Sequence, residues 1–298
     1  MKILVIIVTY NAMQWAERCF DSLRKSSHRP DIFVVDNGST DGTQSFIQAH
    51  YPEVMFLQSE KNLGFGKANN IGLQYALDNN YDYVYLLNQD AWVMPDTFEK
   101  LIAISRKYPE YGILSPFQMN ADLYHIDHNF IVNVLKWESN ADIINDIYNQ
   151  EIMDVYPVQG VMAAHWLMPS KTSRTVGGFS PSFPHYGEDD NYIDRVHFLN
   201  MKVGVVPSLR VVHDRGWRVD SVDKKIHIIY TSSIRALSNP LLDSKKAMVQ
   251  VTYMSIIGAL TYKSLRPLRN AIKIFLHSGT ILKNRRKSMN NYESSLFL

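Results

Sequence analysis

One cysteine, Cys19, in 298 residues excludes an intrachain disulfide, and a thiolate zinc site would need several more. A reducing compartment suits that usage. Long hydrophobic runs are also missing: the longest, residues 248–262, is broken by Gln250, Thr252 and Ser255, so nothing approaches the roughly 18 to 20 apolar residues of a membrane-spanning helix. The opening residues 1–8 place a short apolar run behind a single lysine with no small-residue cleavage site after it, which reads as a strand. Two phosphate-cradling motifs fail. Gly-x-x-x-x-Gly-Lys-Ser/Thr does not occur, and Gly64-Phe65-Gly66-Lys67-Ala68-Asn69 lacks the third glycine of a dinucleotide fingerprint and does not follow the first strand. Hydride transfer and P-loop hydrolysis lose support accordingly. There is no internal repeat and no low-complexity block.

What is present is an ordinary globular composition, 46% hydrophobic, 12% aromatic and 20% charged. The net charge of +2 conceals an asymmetry: residues 1–223 carry 18 Lys/Arg against 27 Asp/Glu, and residues 224–298 carry 13 against 2. A basic end signals a partner. Interleaved with Tyr, Phe, Leu and Ile, it suits anionic lipid headgroups, with residues 283–287 as the segment expected to reach them. The alternatives are that these helices pack on the rest of the chain or form a homodimer and merely expose their cations. Nucleic acid is disfavoured as a partner, because the acidic first 223 residues would repel phosphate.

Short apolar or β-branched runs at 3–8, 32–35, 54–57 and 83–87 alternate with helical spacing around 15–23, 42–49, 67–77 and 96–107, the pattern of a parallel sheet covered on both faces. Residues 116–157 show little periodicity and are treated as a variable insertion. Regularity returns with an expected strand over 158–168, a turn-rich stretch at Gly177-Gly178-Phe179, a helix over 190–200 and strands at 203–206 and 210–212. Two or three helices are expected beyond residue 223.

Polar residues cluster where strands end. Asp36 closes an apolar run and opens Asn37-Gly38-Ser39-Thr40-Asp41-Gly42; ligands of open α/β sheets sit at that place, and Asp36 could bond a nucleotide base or ribose. The plainer reading is a turn in which Thr40 or Asp41 caps the next helix. Asn88-Gln89-Asp90 follows another buried run, where Asp90 is either a ligand for a hard divalent cation or a solvated loop carboxylate. His185-Tyr186-Gly187-Glu188-Asp189-Asp190 is the densest acidic cluster, either dipole-favoured at a helix start or the source of a general base. His213 ends a strand and is either structural or a ligand.

Taken in order, Val8-Thr9-Tyr10-Asn11, Val35-Asp36-Asn37-Gly38-Ser39-Thr40-Asp41-Gly42, Asn62-Leu63-Gly64-Phe65-Gly66, Asn88-Gln89-Asp90, Gly177-Gly178-Phe179 and Gly187-Glu188-Asp189 resemble family 2 glycosyltransferases with the GT-A fold over residues 3–215. The resemblance implies an α/β fold with a mixed, mainly parallel Rossmann-like sheet flanked by helices and a C-terminal helical appendage. Its expected divisions are a donor half at 1–115, an acceptor and catalytic half at 116–222, and a basic helical region at 223–298. It further implies a nucleotide-sugar donor, a UDP- or dTDP-sugar, with Thr9, Tyr10 and Asn11 near the base, Asp36 on uracil or ribose, and Asn37, Asn62, Gly64, Lys67, Asn88 and Gln89 completing the donor site. Asp90 would hold Mg²⁺ or Mn²⁺ against the diphosphate, with His213 completing the metal site; Asn88 stands where the family carries an aspartate, which predicts weaker metal affinity. Asp189 is the implied base and Glu188 its partner, with inversion at the anomeric carbon. Trp166, His185 and Trp217 are assigned to a glycan or lipid-linked acceptor, with core or surface packing as the alternative reading of the two tryptophans.

Within the family, the chain is similar to bacterial rhamnosyltransferase-like enzymes of surface polysaccharide assembly, which implies a cytoplasmic enzyme, peripheral at the inner face of the membrane. The processive synthases' Gln-x-x-Arg-Trp is missing, so one sugar per encounter is expected. Two rival readings stand beside this one. A sugar-phosphate nucleotidyltransferase would need a glycine-rich basic N-terminal loop that the sequence lacks, and a catalytically silent sugar-nucleotide or glycan-binding protein is suggested by Asn88.

Overall fold

β1 (Ile3–Thr9) shows why the N-terminal half folds as it does. Its side chains alternate between two cores, Leu4 and Ile6 on one face and Ile3, Val5 and Ile7 on the other, as period-2 geometry requires of a strand covered on both sides. The computed structural model describes residues 1–136, 141–216, 220–289 and 297–298. After β1 come α1 (Met13–Arg24), β2 (Asp31–Asp36), α2 (Thr43–His50), β3 (Met55–Gln58), α3 (Phe65–Asp78), β4 (Tyr83–Asn88), β5 (Ala91–Trp92), α4 (Thr97–Lys107) and β6 (Tyr111–Met119). α1 buries Ala16, Cys19, Phe20 and Leu23, the stripe its spacing predicts. α3 lies so close to β1 that a Cβ on Gly72 would stand 2.6 Å from Ile6 Cγ2, and only glycine permits that approach.

The chain continues through α5 (His128–Phe130), a π-helical turn at Ile131–Leu135, α6 (Ala141–Asn149), β7 (Tyr156–Pro157), β8 (His165–Pro169), α7 (Ser170–Val176), α8 (Glu188–Phe198) and β9 (Lys202–His213). The strands form one sheet in the order β3-β2-β1-β4-β8-β6-β9-β5, with β7 added against β9. β1 to β4 are parallel, whereas β8 runs antiparallel to β4 and β5 antiparallel to β9.

Several sequence expectations need correction. Residue 115, where the two expected halves of the domain meet, falls inside β6, so both halves share one sheet. The segment 116–157 is not one irregular insertion: its start completes β6, and Phe130, Val134, Leu135 and Ile143 enter the main core. Asp127 starts α5 by accepting a bond from Phe130 N at 2.7 Å. The strand expected at 158–168 is regular only from His165, and α7 precedes the Gly177 turn.

Among the described residues four helices rather than two or three follow: α9 (Val222–Ser238), α10 (Ser244–Thr261), α11 (Arg266–Leu276) and α12 (Ser278–Met289). They share a core of Ile234, Leu237, Val251, Ile274 and Ile281, into which Phe183 of the loop before α8 inserts. Arg235 on α9 donates two 2.8 Å bonds to Asp194 on α8 and lies 3.2 Å from Asp190. Planar, two-pronged pairing of this kind fixes orientation as well as distance. Asn284 on α12 donates to Ser182 at 2.9 Å. Among the described residues no helix is long and apolar enough to cross a membrane.

Candidate active site

The sheet order reverses at β1, and the carboxyl ends of three parallel strands meet there: Thr9 pairs with Asp36, and Val8 with Asn88. Such a switch point opens the crevice where ligands of open α/β sheets bind. Asp36 organises it from within. Its carboxylate is buried and accepts five hydrogen bonds, from Thr9 Oγ1 (2.8 Å), Gly38 N (3.1 Å), Ser39 N (2.9 Å), Ser39 Oγ (2.5 Å) and Gln44 Nε2 (2.8 Å). The expectation that Asp36 touches base or ribose is therefore corrected, because its oxygens are committed to shaping the loop. Thr9 is buried with it. Asn11, in the left-handed region at φ 51°, accepts from Thr40 N at 2.8 Å, and its own N–H donates to Ser39 Oγ at 2.9 Å. Tyr10 N donates to Gln89 Oε1 at 2.7 Å and Gln89 Nε2 donates to Tyr10 O at 3.2 Å, leaving the Tyr10 ring exposed. The helix after this loop begins at Gly42 rather than at a side-chain cap, and Asp41 instead braces Thr43 and the first turn of α1.

Asn37 plays a similar internal role. Buried, it accepts from Leu63 N at 3.3 Å and donates to Gly64 O at 3.4 Å, while Asn62 accepts from Gly64 N at 2.8 Å. Lys67 is exposed on the first turn of α3.

β5 and β9 bring Asp90 to His213 by pairing Ala91 with His213. Nε2 of the imidazole lies 3.6 Å from Asp90 Oδ1, beyond a good hydrogen bond. His213 is buried, and neither ring nitrogen has a partner, which is costly unless something else satisfies it. Burial opposes ionisation of Asp90, yet neighbouring His213 and Arg215 hold its carboxyl below the ordinary value. A carboxylate and an unpartnered imidazole fit a divalent cation that takes its other ligands from phosphate oxygens and water. Among the described residues no group of three or more His, Cys, Asp or Glu converges on one point.

α8 supplies the acidic cluster. Gly187, at φ +87°, turns the chain so that Glu188, Asp189 and Asp190 form the helix's first turn, where the macrodipole favours negative charge. Glu188 is only 5% exposed and its Oε2 has no partner. Burial, reinforced by the neighbouring Asp189 charge, raises its pKa to about 7. Asp189 is half-buried and accepts from Asp190 N at 2.9 Å. The start of α3 touches this turn: a Cβ on Gly66 would meet Phe179 Cβ at 3.0 Å and Glu188 Cγ at 3.7 Å.

The Glu188 environment predicts a pH dependence of stability. The folded state keeps this proton up to about pH 7, whereas an unfolded Glu releases it near 4.5. The folded state thus binds more protons across that window, and its stability falls as pH rises through it, by at most about 3 kcal/mol. Glu188→Gln should match wild type below the window and be more stable above it. Parallel denaturation curves for the two proteins from pH 4 to 9 would sink this account.

The aromatic assignments divide. Trp166 is fully buried, donates its indole N–H to Val161 O at 3.1 Å, and stacks in the core with Phe179; stacking on an acceptor sugar is excluded. Trp217 lies outside the described residues. His185 is exposed beside Tyr186, and its carbonyl accepts from His227 Nε2 on α9 at 3.0 Å.

Sequence reasoning misses several residues that set this geometry. Buried Arg195 donates to Val176 O at 2.8 Å and Gly178 O at 2.6 Å, and Asn70 bonds Phe179 at both N and O, so the Gly177-Gly178-Phe179 turn is gripped from two sides. Burial lowers the Arg195 pKa to about 10. His165 Nε2 donates to Val212 O at 2.9 Å and its Nδ1 accepts from Tyr85 at 2.8 Å, fixing the backbone next to His213. Nothing local marks these residues, since their partners lie far away in sequence.

A mixed sheet with this crevice at its switch point and an acidic helix start beside it defines a GT-A glycosyltransferase. Residues 4–163 match the family described as Glycosyl transferase family 2, and the chain belongs to that family. The chain is 28% identical over 233 residues to the N-acetylglucosaminyl-diphospho-decaprenol L-rhamnosyltransferase of Mycobacterium tuberculosis, covering 71% of this chain and 75% of that one. In fold it is similar to the mannosyltransferase PcManGT from Pyrobaculum calidifontis in complex with GDP-Man and Mn²⁺, with a TM-score of 0.58, 16% identity, and coverage of 97% of this chain and 85% of that chain. It is also similar to S. aureus TarS 1-349 in complex with UDP-GlcNAc, with a TM-score of 0.57, 15% identity, and coverage of 97% and 84%. Glu188, Asp189 and His213 lie beyond the segment matched to the family.

Proposed function

We propose that this glycosyltransferase moves one sugar, a hexosyl unit such as L-rhamnosyl, from a UDP- or dTDP-sugar to a hydroxyl of a glycan or lipid-linked acceptor. Its setting is bacterial surface polysaccharide assembly on the cytoplasmic side of the membrane. The observation that carries this reading is the acidic first turn of α8, whose Glu188 packs against Gly66 at the start of α3. The name of the M. tuberculosis relative supports the sugar class and the lipid-linked acceptor.

In this reading the Tyr10 ring and Asn62, Lys67 and Gln89 face the donor, while Asp36, Thr9 and Asn37 hold the loop that receives it. Asp189 takes the proton from the acceptor hydroxyl. The acceptor oxygen bonds to the anomeric carbon from the face opposite the nucleotide as the bond to the diphosphate breaks, so the configuration inverts and no covalent enzyme intermediate is needed. Asp90 and His213 would hold Mg²⁺ or Mn²⁺, which offsets charge on the leaving diphosphate when bound. Glu188, neutral or ionised near pH 7, sets the field in which Asp189 works.

The test is a thermal-shift and turnover screen of UDP-, GDP- and dTDP-sugars with and without Mg²⁺ or Mn²⁺, on wild type, Asp90→Ala and His213→Ala. One nucleotide class should stabilise the wild type by several degrees in a metal-dependent way, and both variants should lose that dependence. If no nucleotide stabilises the protein, the donor-site reading is wrong. Stabilisation without turnover of any donor would favour a silent binding protein.

A further inference from the structure

α10 presents a mismatch between composition and packing. It carries no charged residue from Ala247 to Thr261. One stripe, Ala247, Val251, Ser255 and Gly258, is buried, with Gly258 so near α9 that a Cβ would stand 2.4 Å from Ile229 Cδ1. The stripe on the opposite side is equally apolar and uncovered: Val249, Tyr253 and Leu260 are 69%, 64% and 70% exposed. A helix with apolar stripes on two opposite sides and only one of them covered lacks a partner for its outer face.

α11 extends the same surface. Leu265 before it and Ile272 and Leu276 along it are exposed, while Pro267, Ala271 and Ile274 face inward. Ile256, Leu260, Leu265 and Leu268, with Lys263, line a groove of about 280 Å³ where the two helices meet. On helical spacing, Arg269 and Lys273 fall on one flank of the apolar stripe. Between Ser244 and Met289 the sequence has ten Lys/Arg and no Asp/Glu. Lys263, Arg269 and Lys273 make no ion pair among the described residues. The basic run at 283–287 is less available than its sequence suggests, because Arg285 turns inward to Ser244 and the Leu242 carbonyl.

We infer that the outer face of α10 and α11, from Val249 to Leu276, docks on an anionic lipid bilayer, with its leucines and isoleucines among the acyl chains and its cations at the headgroups. Apolar side chains bordered by Lys and Arg match the chemistry of such an interface. A second copy of the chain fits less well, since a two-fold contact would set each cation-rich edge against another with no carboxylate to offset it. The inference goes beyond the transfer reaction, although it rests on that reading for its purpose. α9 joins the docking face to the site, contacting Asp190 and Asp194 through Arg235 and the His185 carbonyl through His227. A lipid-linked acceptor would therefore be met near the Glu188-Asp189 turn.

The experiment is flotation of the full chain, without sugar substrates, on phosphatidylcholine vesicles with and without phosphatidylglycerol, at low and high salt. Binding should be at least about tenfold tighter on the anionic vesicles and should weaken with salt. Leu260→Glu with Leu265→Glu, and separately Arg269→Glu with Lys273→Glu, should each weaken it by about tenfold or more, with an unchanged circular-dichroism spectrum and cooperative thermal unfolding as the control for folding. Absence of flotation, equal flotation on neutral vesicles, or flotation indifferent to both variant pairs would overturn the inference. So would a dimer in sedimentation velocity that the leucine pair dissociates, because the face would then be an interface between copies. Because vesicle binding is read without transfer, its failure leaves the donor and acceptor chemistry standing, and the reverse also holds.

Discussion

Asp189→Asn should lower sugar transfer by about 10²- to 10⁴-fold while donor-induced thermal stabilisation persists. The substitution keeps the shape of a half-buried side chain on the first turn of α8 and its bond from Asp190 N, but removes the basicity that the proposed mechanism uses to take the acceptor's proton. Glu188→Gln is the informative comparison. Because the Glu188 pKa lies at about 7, the amide mimics a state that the wild type already populates near neutrality. Its effect on rate should be smaller and should appear chiefly as a changed pH profile. Single-turnover rates for both variants decide the matter: if Asp189→Asn retained wild-type transfer and Glu188→Gln abolished it, the base would be Glu188.

Asp36→Ala should destabilise the fold by about 3–5 kcal/mol and abolish donor binding together. Five donors from Thr9, Gly38, Ser39 and Gln44 converge on this one buried carboxylate. Alanine would strand all of them with no room for the loop to solvate them. Asp36→Asn keeps one acceptor oxygen and lets the two hydroxyls reorient, so its cost should be lower, about 1–3 kcal/mol. Chemical denaturation of the three proteins measures both numbers. A cost below about 1 kcal/mol for the alanine variant would mean that the network does not hold the crevice, and the direct contact between Asp36 and the nucleotide would return as the better account.

The N-terminal sheet is legible because its cause is local. β-branched runs such as residues 3–8 and 32–35 specify buried strands by themselves, and Trp15, Cys19, Phe20 and Leu23 specify a helix by their spacing alone. The middle of the chain is harder to read. Phe130, Val134, Leu135 and Ile143 contact a core assembled from strands on both sides of them in sequence, so no window of neighbours reveals their role. Beyond residue 223 the spacing marks α9 and α11 as helices, but neither the number of helices nor which of their faces are covered.

The residue types of the site and their order along the chain are sequence information: acidic and amide groups after apolar strands, glycines in loops, an acidic helix start. What each does depends on burial and on distant partners. Trp166 looks like a sugar-stacking aromatic until β8 places it in the core, and Asp36 looks like a ligand contact until five donors fill its oxygens. Asp90 meets His213 only because β5 pairs with β9. Glu188 acquires its raised pKa because folding buries it, in part against the start of α3 more than a hundred residues earlier, beside the charge of Asp189. Strand and helix patterns follow from interactions within a few residues. Desolvation, hydrogen-bond satisfaction and the pairing of charges are set by atoms that only folding brings together, and those quantities turn a conventional set of polar residues into this site.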